Sequence, residues 1–325
     1  MWWSNNFTHC YKTEEDRCTA NSMPYGGGLC GWTNTNGRTI NEGGTCEGTS
    51  TFSCANSIIN DGGVCEGNER KACQNSTVNE GGICTGTGSA ACVGVTINNG
   101  GECIAQSNIG CDAAKVYDGG KCIGEEGSSG ACRNAKIYDG GVCEGNGGSN
   151  ACYDMQIYEG GKCIGNATSA CAQSRFEGAV CEGNAEQSCK GFAAYPDRGF
   201  FESSTCNGNA TQACAALYHS GSVCNGYANG ACGAINPNSR SVFEEGAICN
   251  GYVSGACGTG STSTSYNATF KSGGVCNGYV SGSCRGIFDS GSRCVANVAG
   301  ACTGTYKEGS CCQGGDNCPA NAPRC

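Results

Sequence analysis

Residues 65–84 read Cys-Glu-Gly-Asn-Glu-Arg-Lys-Ala-Cys-Gln-Asn-Ser-Thr-Val-Asn-Glu-Gly-Gly-Ile-Cys, and variants of this unit fill most of the chain. Cys65 opens the unit, Cys73 follows eight residues later, and a Gly-Gly pair stands just before the next opening cysteine, Cys84. A recurring unit of this length is typical of solenoid proteins, in which each coil of the chain stacks on its neighbours. The unit is too short for the two helices of a helical repeat, so it predicts coils made of short β-strands.

The repeat keeps its register from Cys46 onward, with a period of 18–21 residues that lengthens to 25–27 where residues are inserted. The opening cysteines are Cys46, Cys65, Cys84, Cys103, Cys122, Cys143, Cys163, Cys181, Cys206, Cys224, Cys249, Cys276 and Cys294. The second cysteines of the same units are Cys54, Cys73, Cys92, Cys111, Cys132, Cys152, Cys171, Cys189, Cys214, Cys232, Cys257, Cys284 and Cys302. Cysteines at this spacing can lie on opposite walls of a flattened coil and point inward, at the separation that a disulfide needs. We therefore predict one disulfide within each coil.

The remaining cysteines lie near the two ends of the sequence. Cys10 and Cys18 are also eight residues apart and are expected to pair. Cys30 has no partner at this spacing, which predicts either a free thiol or an intermolecular disulfide. The tail contains four more cysteines, Cys311, Cys312, Cys318 and Cys325. We expect these four to pair two and two in a compact cap over the open end of the solenoid.

Three repeated columns support this fold. A β-branched residue stands six positions before the opening cysteines from Cys46 to Cys163, as at Ile59, Val78 and Ile97. An acidic or asparagine residue and a Gly-Gly pair follow, a combination typical of a tight turn. The predicted fold is therefore an all-β, disulfide-stapled β-solenoid of about 13 short coils. An irregular head covers residues 1–45, the solenoid covers 46–310, and the cap covers 311–325.

Composition restricts the compartment and the partners. The 325 residues include 33 Cys and 57 Gly and carry a net charge of −9, which leaves no basic face for nucleic acid. The cysteine spacing does not match the short spacing of zinc ligands, so we predict disulfides, no metal and no cofactor. No stretch has the roughly 20 apolar residues of a membrane span. Disulfides in this number indicate an oxidising compartment, the cell surface or the extracellular space.

Three insertions fall at the same phase of the repeat, over Lys190–Thr205, Gly233–Ile248 and Gly258–Val275. Insertions at one phase of a solenoid project from the same side, which is often the binding side. They contain an unusual share of the aromatic residues, namely Phe192, Tyr195, Phe200, Phe201, Phe243, Tyr266 and Phe270. These residues are candidate binding residues, and the alternative is that they only cover the edge of the coils.

Other patterns have both a functional and a structural interpretation. The acidic column could hold calcium, but acidic residues before glycine are also ordinary turn formers. The tyrosine column of Tyr117, Tyr138 and Tyr158 predicts side-chain stacking or a sugar-binding surface. The asparagine column predicts an amide ladder, and it consists of Asn207, Asn225, Asn250 and Asn277. Five sequons permit N-glycosylation, at Asn6, Asn75, Asn166, Asn209 and Asn267.

Catalysis has little support in the sequence. His9 and His219 are the only histidines, and a histidine-based enzyme would need a cleft that pairs His219 with an acid. We therefore predict a protein that is not an enzyme.

The inward cysteines and short coils resemble the disulfide-filled β-solenoids of insect antifreeze proteins. That resemblance implies ice binding through a flat rank of Thr-x-Thr. The residues after the opening cysteines are instead Glu47, Glu66, Thr85, Ile104, Ile123 and Glu144. This departure removes the residues that would carry the activity.

A second resemblance covers residues 46–325. The repeats Cys-Asn-Gly-Tyr-Val-Ser-Gly-Ala-Cys at 249–257 and Cys-Asn-Gly-Tyr-Val-Ser-Gly-Ser-Cys at 276–284 look like Cys/Gly-rich regions of bacterial type IV pilin-like proteins. The Cys-Cys…Cys-Pro…Pro-Arg-Cys tail adds to the resemblance, whereas the apolar N-terminal helix of a pilin is not in this sequence. The resemblance implies an extracellular appendage subunit.

The sequence therefore predicts an extracellular structural or adhesive rod. Its expected partners are further copies of the chain, other appendage proteins or surface glycans.

Overall fold

In the computed structural model the chain is a parallel β-solenoid, which confirms the predicted fold class. The structure describes residues 9–10, 18–19, 39–40, 45–48, 51–52, 54–60, 62–125, 127–191, 199–219, 221–233, 241–258 and 268–325, with backbone only at 9, 10, 18, 19 and 40. No α-helix occurs in these ranges. Within them there is accordingly no helix of the length and apolarity that crossing a membrane requires.

Residues 1–155 and 156–325 form two compact units, and each unit contains strands of two parallel sheets, A and B. Sheet A of the first unit contains β1 (His9–Cys10), β3 (Thr39–Ile40), β5 (Ile58–Ile59), β7 (Thr77–Val78), β9 (Thr96–Ile97), β11 (Lys115–Val116) and β13 (Lys136–Ile137). Its sheet B contains β2 (Cys18–Thr19), β4 (Thr45–Gly48), β6 (Val64–Gly67), β8 (Ile83–Gly86), β10 (Glu102–Ala105), β12 (Lys121–Gly124) and β14 (Val142–Gly145).

The second unit repeats this arrangement. Its sheet A contains β15 (Gln156–Ile157), β17 (Arg175–Glu177), β19 (Gly199–Phe201), β21 (Leu217–Tyr218), β23 (Val242–Phe243), β25 (Ala268–Phe270), β27 (Cys284–Phe288) and β29 (Cys302–Tyr306). Its sheet B contains β16 (Lys162–Gly165), β18 (Val180–Gly183), β20 (Thr205–Gly208), β22 (Val223–Gly226), β24 (Ile248–Gly251), β26 (Val275–Gly278), β28 (Arg293–Ala296) and β30 (Cys311–Gln313).

The described residues of the segment 1–45 belong to this arrangement. Its strands β1 and β2 pair in register with the next coil, His9 opposite Thr39 and Cys18 opposite Cys46. Cys30, and the side chains of Cys10 and Cys18, lie outside the described part of the chain.

The strands of sheet B place their cysteines inward. In β6 the cysteine and the glycine are buried while Val64 and Glu66 face outward, as strand alternation requires. Cys65 pairs with Cys84 of the next coil in a parallel ladder, so the opening cysteines of successive coils in a unit form a column. A Cβ atom on Gly67 would lie 2.6 Å from the Cβ of Ala91, so this inward position has room only for glycine.

The acidic column forms the turn between the two sheets. Gly82 donates its backbone N–H to the carbonyl of Asn79 over 2.7 Å, and the two residues between them have positive φ, 30° at Glu80 and 75° at Gly81. Two successive residues with positive φ define a type I′ turn, which favours Asn or Asp followed by Gly. Asp118 and Asp139 occupy the same position, with φ of 46° and 35°. The column is therefore explained by turn chemistry.

A disulfide spans every coil from Cys46 to Cys302. The thirteen predicted pairs are present, with Cα–Cα distances of 6.0–6.5 Å. The tail cysteines pair two and two as Cys311–Cys325 and Cys312–Cys318. Nearly all of these cysteines are buried, so the disulfides fill positions that aliphatic side chains occupy in other cores.

Sheet A of the second unit has an aromatic core. Phe200, Phe243 and Phe270 are fully buried, at the inward position that Ile or Val occupies in the first unit. Neighbouring rings stack at centroid distances of 4.5–4.9 Å along the column Phe176, Phe200, Tyr218, Phe243, Phe270, Phe288 and Tyr306.

The prediction that Phe200, Phe243 and Phe270 bind a ligand on loops is therefore wrong. Each belongs to a strand of sheet A near the end of an insertion, and stacking at strand spacing removes its ring from solvent. Phe201 faces outward from the same strand and stacks on His219. Phe192, Tyr195 and Tyr266 lie outside the described residues.

The last ring of this column leads to a prediction about alkaline pH. Burial raises the pKa of Tyr306 to about 12, from an ordinary value near 10. The folded chain keeps this proton up to about pH 12, whereas the unfolded chain loses it near pH 10. The contribution of Tyr306 to stability is thus complete below pH 10 and falls as the pH rises to 12. We expect Tyr306→Phe, which keeps the ring, to weaken the alkaline loss of stability measured by denaturant unfolding between pH 9 and pH 12. Identical pH profiles would contradict this.

Candidate functional site

The outward side of sheet B in the second unit carries a regular block of nine side chains. Three consecutive coils contribute one aliphatic, one asparagine and one tyrosine residue each, in the same register. We call this block the tyrosine–asparagine face, and it consists of Val223, Asn225, Tyr227, Ile248, Asn250, Tyr252, Val275, Asn277 and Tyr279. None of the nine side chains is charged.

The asparagines of the face form an amide ladder. Asn225 donates its Nδ2 to Oδ1 of Asn207 over 2.9 Å. Asn250 donates in the same way to Asn225, and Asn277 donates to Asn250, each over 2.8 Å. The amide ladder expected from the sequence is therefore present, and its hydrogen bonds hold the outward amides in one orientation.

The tyrosines form a stacked and exposed rank beside the ladder. Ring centroids are 4.9 Å apart between Tyr227 and Tyr252 and 5.0 Å apart between Tyr252 and Tyr279, with nearly parallel planes. The three residues keep 48%, 37% and 43% of their surface exposed, which makes them the largest exposed aromatic group in the described part of the chain. Burial, followed by the neighbouring phenols of Tyr227 and Tyr279, raises the pKa of Tyr252.

The insertions do not disturb this face. The opening cysteines Cys224, Cys249 and Cys276 are 25 and 27 residues apart, yet β22, β24 and β26 pair residue for residue. The extra residues stand between the second cysteine of each coil and the next strand of sheet A, so sheet B is unaffected. The sequence contains the signal for the face, Asn-Gly-Tyr after the opening cysteines Cys224, Cys249 and Cys276, but no tyrosine surface was predicted from it.

A charged column runs along the outward side of sheet A in the same unit. His219 Nδ1 lies 3.0 Å from a carboxylate oxygen of Glu244, and Lys271 bonds the other oxygen. Lys307 pairs with Asp289 over 2.7 Å in the following coils. Cross-strand pairs of opposite charge or of hydrogen-bonding groups stabilise a sheet surface, so the His219–Glu244 pair that an enzyme would need has a structural explanation.

A cavity of about 570 Å³ lies at the turns of the second unit. It is lined by Tyr158, Glu159, Glu177, Gly178, Glu202 and Ser203, and His219 is not among these residues. One of its carboxylates, that of Glu177, is already bonded to Arg175. The cavity therefore does not bring the histidine together with a candidate nucleophile.

The other predicted sites are distributed as follows. Tyr117 and Tyr138 stack at 4.8 Å, as their column predicted. Asn75, Asn166 and Asn209 are exposed, whereas Asn6 and Asn267 lie outside the described residues. The side chain of Asn184 lies between those of Asn166 and Asn209. It donates a hydrogen bond to Asn166 and accepts one from Asn209, each over 2.8 Å. Their use for glycosylation stays a prediction.

The described strands β8, β10, β12 and β14 of sheet B carry no outward threonine rank. One outward rank contains Ile83, Glu102, Lys121 and Val142. The other contains Thr85, Ile104, Ile123 and Glu144. Glu102 and Lys121 form an ion pair at 3.0 Å, so this side is charged.

Comparisons with known proteins give little further information. No protein-family model matches the chain, and no curated protein sequence matches it. Among solved structures, the TibC-catalysed hyper-glycosylated TibA55-350 fragment is similar at 16% identity, with 86% of this chain and 89% of that chain covered and a TM-score of 0.33. Values this low support no statement about shared function.

Proposed function

We propose that this protein is a non-enzymatic, extracellular adhesive protein that binds a surface polysaccharide through the tyrosine–asparagine face. The disulfide-rich solenoid already indicates an extracellular structural protein, because disulfides in this number persist only in an oxidising compartment. The adhesive function rests on one observation, the exposed rank of Tyr227, Tyr252 and Tyr279 beside an ordered amide ladder.

The chemistry of the face favours a neutral ligand with many hydroxyl groups. Exposed tyrosines are enriched at binding surfaces, since the ring contributes apolar contact and the hydroxyl contributes a hydrogen bond. Asparagine amides and phenols both donate and accept hydrogen bonds, as sugar hydroxyls do. The absence of charge in the face, together with the net charge of −9, disfavours nucleic acid and anionic polymers.

The periodicity of the face favours a polymer over a small sugar. Each rank repeats at the spacing of the coils, 4.9–5.0 Å between tyrosine rings, so a repetitive ligand can make the same contact several times. Repeated weak contacts along one chain add up to a high avidity. The outward side of a sheet also suits the side of a polymer better than an enclosed monosaccharide.

The test is retention of the purified protein on insoluble polysaccharides such as cellulose, chitin and bacterial cell-wall polymers. We expect saturable binding to at least one polymer, and a loss of about tenfold or more in affinity for the variant Tyr227→Ala/Tyr252→Ala/Tyr279→Ala, a change of ~1.4 kcal/mol or more. The matched control is Tyr117→Ala/Tyr138→Ala, which removes a stacked tyrosine pair from sheet A of the first unit. No retention on any polymer, or equal losses in both variants, would contradict the proposal.

A further inference from the structure

The outer edge of β29, the last strand of sheet A, has no partner strand in the described part of the chain. On its inner edge β29 pairs with β27 from Cys302 to Tyr306, and the Lys307 N–H bonds to the Phe288 carbonyl over 2.9 Å. Successive residues of a strand in a parallel sheet direct their backbone N–H and C=O groups alternately to the strand on one side and to the strand on the other. The backbone N–H and C=O groups of Cys302, Gly304 and Tyr306 therefore face away from β27, where a further strand would bond.

Sheet B ends differently, because the tail adds one more rung to it. Cys312 of β30 forms a parallel bridge with Arg324. The Cys312 N–H donates to the Pro323 carbonyl over 2.7 Å, and the Cys325 N–H donates to the Cys312 carbonyl over 3.2 Å. The disulfides Cys311–Cys325 and Cys312–Cys318 fix this rung in place. Sheet B thus extends one strand beyond sheet A, and the difference leaves a step one strand wide beside β29.

Several side chains at this step could accept further hydrogen-bond, stacking or ion-pair partners. The hydroxyl groups of Tyr306 and Thr303 are buried and have no hydrogen-bond partner among the described residues. The ring of Tyr306 stacks on Phe288 at 4.8 Å and is the last of the aromatic column, so its other side contacts no ring of the described residues. Lys307 pairs with Asp289 and keeps 59% of its side chain exposed, so it can take a second acidic neighbour.

We propose that the step beside β29 is a docking site for an extended strand of a partner polypeptide, which adds to sheet A as its next rung. Unpaired edge strands are templates for strand addition, and the main chain supplies much of the affinity. The solenoid itself indicates which side chains fit. An aromatic residue in register with Tyr306 continues the stack, and an acidic residue after it contacts Lys307, as in Phe243-Glu244 and Phe288-Asp289 of this chain.

The extra rung of sheet B argues against a second copy of the chain as the occupant. End-to-end stacking of two solenoids would require both sheets to meet a partner at the same level. The disulfide-held tail projects past β29 by one strand and keeps a second coil end away from sheet A. A single extended segment needs no such space and fits beside the tail.

The experiment uses the full chain and a labelled peptide, Ser-Ser-Arg-Gly-Ile-Phe-Asp-Ser, which copies residues 283–290 with serine in place of Cys284. The control peptide has serine in place of the phenylalanine and lysine in place of the aspartate. Fluorescence anisotropy should show saturable binding of the first peptide, and binding of the control at least about tenfold weaker, ~1.4 kcal/mol. The protein variant Lys307→Glu should reduce the preference for the acidic peptide, and it should bind a peptide with lysine at that position better than wild type does.

A second measurement does not depend on any variant. Hydrogen exchange at the amides of Gly304 and Tyr306 should slow when the first peptide is added, because both N–H groups then bond to the new rung. Equal binding of the two peptides, or unchanged exchange at these two amides, would overturn the proposal. Concentration-dependent dimers in sedimentation, with protection of the same amides without peptide, would also overturn it, because a second copy would then be the occupant.

Discussion

Removal of all disulfides should unfold the solenoid. Chain-entropy estimates assign about 2.5 kcal/mol to a disulfide that closes a loop of this length. The free energy of unfolding of a whole domain is only about 5–15 kcal/mol. Cysteine and glycine occupy most inward positions of sheet B, so few aliphatic side chains would remain to hold the coils together. We therefore expect the reduced chain to be unable to keep its strands.

A reductant reaches the buried sulfur atoms of the folded protein only slowly, so the disulfides have to be reduced in the unfolded state. The protein is unfolded and reduced in denaturant, and the denaturant is then removed either with reductant present or under oxidising conditions. Circular dichroism should show β-structure only in the oxidised sample. The double variant Cys249→Ala/Cys257→Ala serves as a graded control and should lose about 2.5 kcal/mol without unfolding. A native spectrum in the reduced sample would show that the disulfides are not required for the fold.

Replacement of Phe200 by alanine should lower the free energy of unfolding by about 3–5 kcal/mol. Phe200 is fully buried and stacks on Phe176 at 4.5 Å and on Tyr218 at 4.9 Å. Its removal leaves a cavity between two rings that the rigid coils cannot close, and it also removes two ring contacts. Denaturant unfolding of the two purified proteins measures this difference.

The neighbouring residue gives a matched control. Phe201 belongs to the same strand but faces outward, where it contacts His219 and the guanidinium of Arg175. Phe201→Ala should therefore cost about 1 kcal/mol, the range of an exposed cation–π contact and one ring pair. A larger loss for Phe201→Ala than for Phe200→Ala would mean that the inward and outward assignments are reversed.

The cysteine pairing could be predicted because it depends on local distances. Eight residues are enough to cross a flattened coil once, so Cys65 and Cys73 face each other whatever the neighbouring coils do. The turn at Asn79–Gly82 is also local, since two residues with positive φ need the turn-forming types found there. Such features are set by short stretches of chain and repeat wherever the stretch repeats.

The burial of the aromatic residues follows from the repeat, although their position in insertions suggested loops. Phe200, Phe243 and Phe270 stand six positions before Cys206, Cys249 and Cys276, the place that β-branched residues hold in earlier coils. Strand pairing with β17, β21 and β27 confirms that these rings take the inward position of Ile and Val in the first unit. The exposure of Tyr227 depends on the same ladder, because it stands three residues after an inward cysteine and therefore points outward.

By itself the sequence determined the solenoid, the disulfide within each coil and the turn between the two sheets, because each of these depends on contacts within about 20 residues. The tertiary structure alone decided that Tyr227, Tyr252 and Tyr279 stack into one exposed face, and that sheet B ends one rung beyond sheet A. These features arise from side chains in different coils, and stacking brings such residues together at a distance that no local pattern records.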